Sequence, residues 1–165
     1  MRRGIVVVVL TIAASAWFAH AAENAPPRSD SFGITAPDRF PGACVDCHIN
    51  MPGMDVRLST MMSQWFMRVD PAIVEKVKPL MAPTVTLSGR HPRLTEAAYR
   101  NVPAVCMGCH SGVSPSIPPF GPLLHTIHLT GSSHYLEMFK GDCVNCHKLN
   151  TGTARWSIPS GAERP

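Results

Sequence analysis

The sequence predicts a mostly α, loop-rich fold with little or no sheet, and three observations predict it. The pentapeptide Cys-x-x-Cys-His occurs three times, as Cys44-Val45-Asp46-Cys47-His48, Cys106-Met107-Gly108-Cys109-His110 and Cys143-Val144-Asn145-Cys146-His147, and these copies use all six cysteines. The 165 residues include 16 prolines and 12 glycines but only 16% charged side chains, a loop-rich balance without the charge content of a disordered chain. Apolar residues recur at helical spacing only in short stretches, and no long alternating run appears.

The pentapeptide is the attachment signature of a c-type haem. Two thiols about one helical turn apart can add to the two vinyl groups on one edge of a porphyrin. The histidine that follows directly is then delivered to the iron as proximal ligand. Other readings of the cysteines fit less well. A zinc ribbon needs its Cys-x-x-Cys knuckles in pairs and gives no role to a histidine after each. A disulfide framework likewise predicts no such histidine, and a thioredoxin-type site needs one Cys-x-x-Cys in a βαβ setting. Three covalently attached haems would also supply much of the apolar interior, so the chain need not build a large core.

Residues 1–21 read as a cleaved export signal: Arg2 and Arg3 form a positive n-region, Gly4 to Phe18 an apolar core, and Ala19-His20-Ala21 a small-residue cleavage site. Export places the chain in the periplasm, where c-type haem is attached, and no later stretch reads as a membrane span. The alternative is an uncleaved anchor, for which the apolar run is short. The formal charge of +4 includes Arg2 and Arg3, six haem propionates would offset the rest, and no Lys/Arg run supports nucleic-acid binding.

Residues 22–42 hold four prolines and no period, and are expected to form a solvated lead-in, disordered or wrapped on the surface. The haem-bearing domain then occupies 43–165. After the first motif, a Met51 to Met54 loop leads into the best helix, with Leu58, Met61, Met62, Trp65, Phe66 and Val69 on one face. That face is expected to pack on a haem; the other use for it is partner docking. Asp70-Pro71 is an N-cap and first helical residue for a second short helix, ending near Pro79. Residues 79–93 are expected to be loop or extended, with a short edge strand at Val85 to Leu87. Thr95 caps a brief helix before the second motif. Ser114 to Pro122 is a proline-rich spacer, Leu123 to Leu129 is helical, and His134 to Lys140 makes another turn or two. The tail from Leu149 is loop, with Trp156 and Ile158 folded back on apolar surface.

Outside the signal, seven histidines remain. His48, His110 and His147 are the proximal ligands, leaving His91, His125, His128 and His134 for three distal positions. His125 and His128 stand at i, i+3 on one helix face and can reach two differently oriented haems. One of His91 and His134 is then spare. His91 precedes Cys106 by fifteen residues and His128 precedes Cys143 by the same interval, a weak internal repeat. The first motif has no such upstream histidine, so its iron is capped from later in the chain or stays open. Methionine is the rival ligand, with Met51, Met54, Met61 and Met62 near the first motif.

The Leu-Leu-His-Thr-Ile-His-Leu run followed by Cys-x-x-Cys-His resembles small periplasmic multihaem cytochromes c, in particular the bis-histidine class III cytochrome c3 and triheme c7 group. The resemblance covers the three motifs and this pair. The helical stretch at 57–78 has no counterpart in it, and the first two motifs stand farther apart than the last two. It implies that His125 and His128 cap two different haems. It also implies a low-potential electron carrier rather than an enzyme. The expected partners are a membrane quinol-oxidising cytochrome or dehydrogenase and a periplasmic reductase. The alternatives are an electron-transfer subunit of a larger complex, or a small haem reductase with an open axial position at the first haem.

Overall fold

A computed structural model describes residues 38–165; the segment expected to be an export signal and residues 22–37 of the expected lead-in lie outside the described residues. The order of elements is α1 (Cys44–Cys47), β1 (Asn50–Met51), β2 (Met54–Asp55), α2 (Leu58–Met67), α3 (Pro71–Val77), α4 (Ala104–Cys109), α5 (Phe120–Leu129), α6 (His134–Phe139), β3 (Lys148–Asn150) and β4 (Arg155–Ser157). Short 3-10 turns span Lys78–Leu80, Glu96–Arg100 and Cys143–Asn145. No helix among the described residues is long and apolar enough to cross a membrane.

Local chemistry explains two helix starts, those of α3 and α6. The Asp70 carboxylate accepts from the Ala72 N–H at 2.8 Å and Pro71 takes the first helical position of α3, where a missing N–H costs nothing. Ser133 caps α6 by accepting from the Leu136 N–H, while its hydroxyl donates to the His128 carbonyl. The latter contact ties the end of α5 to the start of α6. Helix α3 packs on α5, and α5 on α6. Lys76 on α3 donates to the Thr130 carbonyl at 2.9 Å, just past the end of α5.

Several expectations change. Residues 38–42, assigned to a solvated lead-in, are anchored: Asp38 pairs with the buried Lys148 at 2.7 Å, and Phe40 meets Phe139 edge-on. Buried lysine needs a partner, and Asp38 supplies it. Val85 to Leu87 form no strand, because no neighbouring segment offers a ladder. The tail from Leu149 is not all loop, since β3 and β4 pair antiparallel with Leu149 opposite Trp156. Trp156 is not folded back: every residue of β4 is exposed, because a two-stranded ribbon leaves one face open. The Thr95 side chain makes no capping bond, and the turn it precedes is 3-10.

Buried apolar side chains among the described residues are few and mostly small: Ala43, Val45, Val77, Met81, Ala98 and Val102, with Pro103 beside them. Helices α2 and α5, each ten residues long and rich in Leu, Met, Ile, Trp or Phe, bury none of theirs completely.

Candidate functional site

The three pentapeptides sit on short helical turns. Cys44 and Cys47 bound α1, Cys106 and Cys109 lie in the last turn of α4, and Cys143 opens a 3-10 turn that Cys146 follows. His48 and His110 are the C-terminal caps of their helices, so each ring leaves the helix beside its two thiols. All six cysteines are free. Burial, with the nearby Cys146, pushes the Cys44 thiol up to about 11, and burial also raises Cys47, Cys106 and Cys146. Among the described residues no three His, Cys, Asp or Glu side chains converge to hold a metal by protein donors alone.

The histidines converge in pairs. His48 faces His128 with ring centroids 6.2 Å apart, His110 faces His91 at 6.2 Å, and His147 faces His125 at 6.0 Å. Each pair joins one motif histidine to one from elsewhere. The angles between ring planes differ: 88°, 14° and 50° in that order. His134 faces no motif histidine. Its side chain is 92% exposed at the start of α6, with the Glu137 carboxylate 3.8 Å away.

Helix α5 therefore serves two motifs, His125 the third and His128 the first. The fifteen-residue repeat does not set the pairing: His91 faces the motif that follows it, whereas His128 faces the first motif, far upstream. The histidine that the first motif lacks locally comes from α5. The Met51 to Met62 residues are not needed opposite His48, because His128 stands there.

Four of the six paired rings are held by backbone carbonyls. His48 Nδ1 lies 2.9 Å from the Val56 oxygen, His110 Nδ1 2.7 Å from Pro118, His91 Nδ1 2.8 Å from Pro92, and His128 Nδ1 2.9 Å from Leu124. A carbonyl only accepts, so Nδ1 carries the proton and Nε2 keeps its lone pair. Burial lowers the His48 pKa, the bond to Val56 opposes this, and the facing His128 lowers it further. The net direction favours the neutral, metal-binding form.

The proline-rich segment is more than a spacer. The Pro118 carbonyl accepts from His110, and the Phe120 N–H donates back to the His110 carbonyl at 2.9 Å, so this segment holds the residue by its ring and by its backbone. Val56 and Pro118 each lie eight residues after the histidine they hold. Sequence reasoning missed both, because a carbonyl acceptor leaves no mark on residue type; the shared offset was the available signal. His91 is fixed by the bond from its own N–H to the Trp65 carbonyl, 2.9 Å, which hangs its loop on α2. Tyr135 was also missed. It meets the His128 ring edge-on at 5.7 Å, and its hydroxyl donates to the Asp142 carbonyl beside the third motif.

The donor set fits a metal whose remaining ligands come from a planar group. An imidazole nitrogen sits about 2 Å from a bound transition ion, so two rings trans across one ion have centroids about 6 Å apart. All three pairs have that separation. Comparison of the chain with protein-family models, with curated proteins and with solved structures found no match.

Proposed function

We propose that the protein is an exported triheme c-type cytochrome that carries electrons in the periplasm. The observation that carries this reading is the pairing of every Cys-x-x-Cys-His histidine with one further histidine at 6.0 to 6.2 Å. Haem c would be held through thioethers at Cys44/Cys47, Cys106/Cys109 and Cys143/Cys146. The axial pairs would be His48/His128, His110/His91 and His147/His125. Bound there, each haem supplies one-electron chemistry between Fe(III) and Fe(II) with an unchanged ligand set.

The protein's own part is to fix those ligands. Hydrogen bonds from Nδ1 to Val56, Pro118, Pro92 and Leu124 orient four rings and make their Nε2 more basic. More basic nitrogen ligands favour the ferric state and a low potential. His128 opposite His48 supports a carrier over a reductase with an open position at the first site. The half-covered faces of α2 and α5 suit contact with flat apolar groups. The partners proposed are a membrane quinol-oxidising cytochrome or dehydrogenase and a periplasmic reductase, met through small, transient contacts.

The test is expression with haem maturation, followed by mass spectrometry and near-infrared magnetic circular dichroism. Three attached haems, all low-spin with two histidine ligands and inert to carbon monoxide, are expected. Fewer haems, or one that binds carbon monoxide, overturns the proposal.

A further inference from the structure

Residues 160–164 run between the first and second motifs and bond to both sides. Toward the second, the Ser160 hydroxyl donates to Asn101 Oδ1 at 2.6 Å, and Gly161 and Val102 exchange backbone hydrogen bonds of 2.7 and 2.8 Å. The Glu163 N–H donates to the Tyr99 carbonyl at 2.7 Å. Toward the first, the Glu163 carboxylate accepts from the Ser59 N–H at 2.8 Å and from the Ser59 hydroxyl. The Arg164 guanidinium is ion-paired with Asp46, whose side chain is 5% exposed inside the first motif.

Helix α2 receives no capping bond from its own N-cap residue, Arg57. Glu163 supplies the cap from 104 positions away, placing a carboxylate at the positive end of the helix dipole. Val56, which holds the His48 ring, lies just before that helix start, and Asp46 lies two residues before His48. The strap thus grips the His48 loop from both ends.

We propose that Glu163 is a positioning and potential-setting residue for the first site, its fixed negative charge stabilising the oxidised, more positive state there. This rests on the haem reading above. A strap with a purely mechanical role behaves differently, because Glu163→Gln keeps an acceptor for the Ser59 N–H, presents an amide that can donate to the Ser59 hydroxyl, and removes the charge.

The test is a redox titration of the fully matured protein, wild type against Glu163→Gln, Glu163→Asp and Glu163→Ala. In Glu163→Gln one of three midpoint potentials rises, increasing the reduced-to-oxidised ratio of that haem at fixed applied potential on the order of threefold. Haem content and the other two potentials stay put, and Glu163→Asp brings the shifted potential back toward wild type. Glu163→Ala shifts the same potential and also lowers the melting temperature. Unchanged potentials in Glu163→Gln, or an equal shift of all three, overturn the inference while leaving the haem reading intact. A wild-type protein with fewer than three haems overturns the haem reading itself, and the inference with it.

Discussion

At the level of single side chains, His91 and His134 carry the same chemistry and differ in what faces them. His91 stands opposite His110, whereas His134 stands in solvent beside Glu137. In the haem-loaded protein His91→Ala is expected to open one site of three, giving a high-spin fraction that binds carbon monoxide. His134→Ala is expected to leave the spectrum and carbon monoxide response unchanged; optical titration with the gas checks both. Ring orientation gives a further prediction. An imidazole interacts with the iron d orbital perpendicular to its plane, so parallel rings split that orbital pair and perpendicular rings leave it nearly degenerate. Planes at 14°, 50° and 88° are expected to give three distinguishable low-spin signals in electron paramagnetic resonance of the oxidised protein, the His48/His128 site being the most anisotropic. The cysteines and the motif histidines were legible in the sequence because their chemistry is local, five residues long. Which distal histidine meets which motif was not, because that depends on how helices from distant segments lie together.

At the level of elements, α2, α3, α5 and α6 were readable from apolar spacing and caps, signals carried by consecutive residues. The ladders β1–β2 and β3–β4 were not, since strands of two or three residues are shorter than any alternation a reader could count. The cap on α2 was equally hidden, because it comes from Glu163 in the tail rather than from the preceding residue. Local caps give a direct stability prediction: Asp70→Ala is expected to cost about 1 kcal/mol, read as a lower melting temperature with unchanged haem content. The approach of Gly42 to the first motif gives another. A Cβ there would lie 2.8 Å from Asp46 Oδ1, and the Gly42 N–H already donates to that carboxylate at 2.5 Å. Gly42→Val is therefore expected to displace Asp46 from Arg164 and lower the melting temperature, with Gly53→Val, next to open space but at positive φ, a separate control for backbone strain.

At the level of the whole molecule, the buried apolar residues among the described residues are too few and mostly too small to order 38–165 by themselves. On the proposed reading the attached groups complete the interior. Chain produced without haem maturation is then expected to show weak helical circular dichroism and no cooperative melting transition, while the matured protein melts cooperatively. Helix α5 has one more consequence. On the proposed reading the chain is delivered across a membrane N-terminus first, so His48 arrives long before His128. The second and third sites each draw on a short stretch, His91 to His110 and His125 to His147, and can close as local loops, whereas the first waits for a helix 80 positions downstream. On that reading the motif delivered earliest receives its opposing histidine only after both residues of the second site are out, and the formation of α5 is what completes it.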